Sequence, residues 1–188
     1  MPVLLDNHRV LFPEINALQF TFKVFFFPKQ VHKLKLAVGV TYSTEREDYA
    51  VYLEQDADAL IAELTSADVV VGFNIKRFDY TVLSPYVKEG TSLRNIRSVD
   101  MMEHIYRALG FRVSLDSLAE ATLRESKLAD GLQSVQWFKE GKIDHIIDYC
   151  KKDVEVTKKL HEYGVQNGLV YFNDRYGRRK RVQVNWRV

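Results

Sequence analysis

Val69-Val70-Val71-Gly72-Phe73-Asn74-Ile75-Lys76-Arg77-Phe78-Asp79-Tyr80 is the stretch whose reading decides the fold. Three consecutive β-branched residues suit the interior of a sheet. Gly72 permits a backbone conformation that other residues resist. Asn74 and Asp79 then arrive at the carboxyl end of the strand, where open α/β sheets place their ligands. Tyr80, Val82, Leu83 and Tyr86 follow at helical spacing, which puts Asp79 in the first turn of a helix, looking into a cleft. An ordinary helix-opening aspartate, favoured there by the helix dipole, satisfies the same pattern.

Upstream, Leu18 to Phe27 alternates with period two. Phe20, Phe22 and Val24 fall on one face, and Thr21 and Lys23 on the other. Lys33 to Tyr42 and Tyr49 to Leu53 read as two more strands, giving an antiparallel meander across the polar turn Ser43 to Asp48. Asp56 is the expected N-cap of a helix through Leu64. Arg9 to Phe12 suggests a further short strand, and residues 1–31 as a whole are atypical.

Downstream, Arg97 to Val99 reads as a short strand, with Asp100 opening a helix that Gly110 ends. Ser114 caps Leu115 to Leu123, and a short helix spans Gly131 to Phe138. From Ile143 to Gln166 apolar residues recur on one side of a long helix, and Gly168 stops it. Leu169 to Trp186 forms a hairpin through Asp174-Arg175-Tyr176-Gly177. The expected fold is α/β, with a mixed sheet flanked by helices: an antiparallel meander first, then parallel strands.

Composition limits the function. The 188 residues suit one domain, residues 1–188, with a substantial core. A net charge of +2 excludes a polycation, so affinity for nucleic acid must come from local patches. The single cysteine, Cys150, excludes an internal disulfide and fits a reducing, cytoplasmic setting. No basic region followed by an apolar block opens the chain, and Phe20 to Phe27 is too short to cross a bilayer. No membrane partner is expected.

A second constellation lies on the long helix. Tyr149 and Asp153 are four residues apart and share one helical face. A carboxylate that holds a cation, beside a phenol that orients water, suits metal-assisted hydrolysis. Alone, this spacing is common in helices whose polar face is merely solvated. His145 is the only histidine near this site and reads as structural or supporting. The five histidines make no zinc pattern.

Taken together, Asn74 through Asp79 and Tyr149-x-x-x-Asp153 resemble motifs two and three of the DEDDy-type 3′–5′ exonucleases of the ribonuclease H-like superfamily. The resemblance runs from about Lys33 to Trp186. It takes in Asp100-Met-Met-Glu103 and the run Arg112-Val-Ser-Leu-Asp-Ser-Leu-Ala119. It implies a ribonuclease H-like fold and a single-stranded DNA or RNA 3′ end as substrate. It implies Mg²⁺ or Mn²⁺ held by Asp79 and Asp153, with Tyr149 positioning water and Asn74 shaping the site. Relatives of this kind occur alone or joined to helicases, so a helicase or polymerase is an expected partner.

The family's first motif, Asp-x-Glu, is absent. Thr21 stands where the aspartate belongs and Lys23 where the glutamate belongs. Two metals concentrate about four positive charges, which four carboxylates normally balance. Here two carboxylates are gone and one cation is added. Three readings stand. Lys23 occupies the place of a metal; or it projects into solvent and Glu14 or Asp6 is the missing ligand; or the reading frame is disturbed between about Asn16 and Val31. The expectation is a nuclease domain by descent with impaired catalysis, and the alternative is a non-catalytic module that binds nucleic acid or serves a helicase or polymerase partner.

Basic residues mark candidate contacts. Arg175, Arg178, Arg179, Lys180 and Arg181 interleave with Tyr171, Phe172, Tyr176 and Trp186 in the final hairpin, a composition that suits single strands. Edge protection of a terminal hairpin explains the same charges. Lys76 and Arg77 flank the proposed site and are candidates for a backbone phosphate.

Overall fold

Seven strands and six α-helices appear in a computed structural model that describes residues 19–26, 35–125 and 131–187. Strands β1 (Gln19–Phe26), β2 (Leu36–Ser43), β3 (Asp48–Leu53), β4 (Val69–Gly72) and β5 (Ser98–Asp100) form one sheet in the order β3-β2-β1-β4-β5. The first three are antiparallel neighbours, and β1, β4 and β5 run parallel. This is the mixed architecture expected from the sequence. The suggested strand at Arg9 to Phe12, Asp6 and Glu14 all lie outside the described residues.

β4 sits between β1 and β5, and all four of its residues are buried. A β-branched run without alternation is what burial on both faces requires. On one side, Val70 packs with Leu60, Ile61 and Leu64 of α1 (Ala57–Ser66) and with Val82 and Leu83 of α2 (Asp79–Leu83). On the other, Val69 and Val71 join Met101 and Ile105 of α3 (Met101–Leu109) and Leu118 of α4 (Leu115–Leu123). Asp56 precedes α1 as expected, but its side chain does not cap the helix. It turns back and accepts the Leu53 backbone N–H at 3.0 Å, tying β3 to α1.

A short helix, α5 (Gly131–Lys139), precedes α6 (Ile143–Asn167). Ile146, Cys150 and Val154 of α6 pack on Val38 and Val40 of β2, while Val156 meets Ala119 of α4. Cys150 is thus a packed core residue. His145 lies outside the cleft and stacks on Trp137, with ring centroids 5.5 Å apart, so it supports the α5–α6 junction.

The terminal hairpin, β6 (Leu169–Asn173) and β7 (Arg179–Gln183), is a separate sheet. An isolated two-stranded hairpin is marginal in water. Here hydroxyls of α4 complete its edge. Thr122 Oγ1 donates to Tyr171 O and accepts Tyr171 N–H, both at 2.9 Å. Ser117 Oγ accepts Asn173 N–H at 3.0 Å. Trp186, fully buried beyond β7, lies against Gly164 of α6, where any Cβ would collide with its ring. Among the described residues no helix is long and apolar enough to cross a membrane.

Candidate active site

Asp100 organises the loop that follows β4. It ends β5 and caps α3, accepting the Glu103 N–H at 3.3 Å. The same carboxylate accepts the N–H of Asn74 at 2.8 Å and of Lys76 at 3.1 Å. Three backbone donors converge on one buried side chain, which fixes how the chain leaves β4. Asn74 adopts φ 66°, a left-handed conformation that asparagine tolerates better than most residues. Gly72 is not in that region. It is required for space, because a Cβ there would overlap Ile75 Cγ2. The freedom expected at Gly72 therefore falls at Asn74, while Gly72 lets the buried Ile75 fold back against the strand.

This turn delivers Asp79 to the start of α2, where it is 1% exposed. Asp153, 3% exposed, comes from the buried side of α6, and Tyr149 lies one turn earlier, half-buried. A cleft of about 510 Å³ is lined by Asn74, Asp79, Tyr149 and Asp153 together with Arg112 and Asp116. The two sequence constellations are thus brought into one concavity as α6 packs on β2, β1 and β4.

Two of these residues carried no role in the sequence reading. Arg112 donates from Nη2 to Asn74 Oδ1 at 3.0 Å and so fixes which way the amide faces. Asp116 stands in the first turn of α4, beside the Ser114 cap. The run Arg112 to Ala119 contained the signal, but only the fold shows that its first half borders the cleft.

The other candidates are placed differently. Lys76 lies outside the cleft and pairs with Glu103 at 3.0 Å. Arg77 is exposed and also lies outside it. In the hairpin, Arg178 pairs with Asp174 at 2.9 Å. Arg179 donates to Ala121 O at 2.8 Å and lies 3.6 Å from the Tyr171 ring centroid, so it anchors the hairpin to α4. Lys180 and Arg181 are exposed on β7. Thr21 and Lys23 lie on β1, the middle strand of the sheet, with Thr21 in register with Val71 and Tyr42, and Lys23 with Val40.

These features define a class: a mixed α/β sheet with carboxylates gathered at the ends of its parallel strands. The chain belongs to the RNase H superfamily, whose family model matches residues 27–165. No curated protein matches it. Among solved structures, it is similar in fold to a family B DNA polymerase from the hyperthermophilic archaeon Pyrobaculum calidifontis, at 15% identity and a TM-score of 0.62. The match covers 78% of this chain and 24% of that one, so the chain spans about a quarter of the polymerase's length.

RNase H-like nuclease domains generally use divalent cations. Hard cations take six or more oxygen ligands, several of them carboxylates. Asp79 and Asp153 are suitable donors, but among the described residues no group of three His, Cys, Asp or Glu side chains is placed to hold an ion. Thr21 and Lys23 add no carboxylate. Among the described residues the cleft therefore presents carboxylates at Asp79, Asp116 and Asp153 but no assembled site for a metal pair.

Proposed function

We propose that the chain is a nucleic-acid-processing domain of the 3′–5′ exonuclease type, whose cleft takes the 3′ end of a single DNA or RNA strand. Two-metal hydrolysis is its inherited chemistry, impaired by loss of the first carboxylate pair. The observation that carries this reading is the convergence of Asn74, Asp79, Tyr149 and Asp153, from distant parts of the chain, on one cleft. Membership of the RNase H superfamily and likeness in fold to part of a DNA polymerase support it.

In this reading Asp79 and Asp153 are the retained acidic groups. Tyr149 offers a phenol to orient water or a phosphate oxygen, and Asn74, held by Arg112, shapes the wall. Lys76, Arg77, Arg178, Arg179, Lys180 and Arg181 provide positive charge around the path of the strand. The donor set favours a second reading, a non-catalytic module that holds a strand for a helicase or polymerase.

Digestion of a 5′-labelled single strand with Mn²⁺ separates the two. The unmodified protein is compared with the Thr21→Asp, Lys23→Glu double variant. Trimming from the 3′ end by the double variant alone supports impaired descent from an exonuclease. Trimming by the unmodified protein, abolished by Asp153→Ala, shows that another group completes the centre. Salt-sensitive strand binding without digestion by either protein supports the second reading.

A further inference from the structure

A second cleft, of about 760 Å³, lies between the Phe111–Ser117 segment and the turn of the terminal hairpin. It shares Arg112, Val113 and Ser114 with the first cleft, so the two border the same short piece of backbone. Its lining has an uncommon composition. Phe111 is 50% exposed and Tyr176 65% exposed, and both border this cleft. Elsewhere the described surface buries nearly all its large apolar side chains, with Val51 and Tyr106 the other two well exposed.

Guanidinium groups border the cleft along with both rings. Arg112 follows Phe111 directly and sits at the junction of the clefts, held to Asn74 at 3.0 Å. Arg175 and Arg178 lie 4.7 and 4.9 Å from the Tyr176 ring centroid. Hydrogen bonds within the turn hold them in place. Asp174 accepts the backbone N–H groups of Tyr176 at 2.9 Å and Arg178 at 3.0 Å, and its carboxylate also takes Arg178 Nε at 2.9 Å. Phe111 is braced edge-on by Phe172, with centroids 5.9 Å apart.

We infer that this second cleft is a stacking tract for single-stranded nucleic acid. Bases lie on Phe111 and Tyr176, phosphates lie on Arg112 and Arg175, and the strand feeds past Arg112 toward Asp79 and Asp153. The inference rests on the proposed strand-end reading and extends it to the nucleotides behind the end. Aromatic faces stack on any base, and guanidiniums neutralise the backbone between them, so the tract is indifferent to sequence and weakened by salt. One of the two guanidiniums over Tyr176 moves to a phosphate when a base takes its place. Arg112 serves both clefts, which couples the tract to the position of the Asn74 amide.

The test is fluorescence anisotropy of the full chain with 5′-labelled single strands of three and twelve nucleotides, without divalent cations. Tyr176→Ala weakens binding of the twelve-nucleotide strand by roughly tenfold, within the range for loss of one stacked base, and leaves the trinucleotide nearly unchanged. Tyr176→Phe keeps the ring and binds like the unmodified protein. Phe111→Ala gives a loss of similar size, and its melting curve shows whether the Phe172 contact has cost stability. Equal binding of the long strand by the unmodified protein and both alanine variants overturns the tract and leaves the strand-end reading standing. Failure of the unmodified protein to bind either strand overturns both, and points to an acidic protein surface as the occupant of the arginines.

Discussion

Asp100 holds Asn74. The carboxylate that caps α3 also accepts the Asn74 N–H at 2.8 Å, so the end of one parallel strand sets the backbone that leaves its neighbour. Asn74 then faces the cleft with its amide oriented by Arg112. A buried structural carboxylate thereby positions a cleft residue without lining the cleft itself.

Replacing Asp100 by alanine strands three backbone donors in a buried place. Each lost partner costs about 1 kcal/mol or more. The expected destabilisation is about 3 kcal/mol, which lowers the melting temperature by roughly 6–12 °C for a chain of this size. Urea denaturation measures it. A loss below about 1 kcal/mol shows that water replaces the carboxylate and that the loop is not fixed by it.

Gly72→Ala sets a new methyl against Ile75 Cγ2. Overpacking of this kind costs about 1–3 kcal/mol. If the cause is steric, the same substitution costs clearly less in an Ile75→Ala background, because the colliding atom is gone. A double-mutant cycle reads the difference as a coupling energy. Equal costs in both backgrounds point to backbone strain instead.

Burial holds the His161 imidazole neutral, with its pKa pushed down to about 4, and its Nε2 lies 3.2 Å from Trp186 O. The unfolded chain protonates the same ring near pH 6.5. Between these values the unfolded state binds more protons, so stability rises with pH through this window and is lost as pH falls from about 6.5 to 4. The full effect is at most about 3 kcal/mol. His161→Gln flattens the pH dependence of the urea midpoint between pH 7 and pH 5. An unchanged slope shows that the ring takes up protons alike in the folded and unfolded chains.

Metal affinity follows the missing carboxylates. Mn²⁺ shifts the melting temperature of the unmodified protein by less than about 1 °C. The Thr21→Asp, Lys23→Glu variant gains about 1.4 kcal/mol when the ion is present at ten times its dissociation constant. Adding Asp153→Asn to that variant removes the gain. A clear shift in the unmodified protein shows that its own residues complete a cation site.

The identity of the elements was legible in the sequence because it rests on local rules. The Val69–Val71 run, the Asp100 and Ser114 caps, and the stops at Gly110 and Gly168 each act within a few residues of themselves. The spacing of Tyr149 and Asp153 fixed their shared face in the same way. Long-range approaches decided the rest. Gly72 is limited by the side chain of Ile75, only three residues on, but that approach depends on the turn that Asp100 holds from β5. Lys76 stands next to a cleft residue, yet ends in a pair with Glu103, which the fold brings to it from α3. Arg112 gained its place only when α4 was docked beside the parallel strands. The adjacency of the two clefts follows from where the hairpin packs on α4. Hydroxyls of Ser117 and Thr122 fix that position, by contacts that close only once distant segments meet.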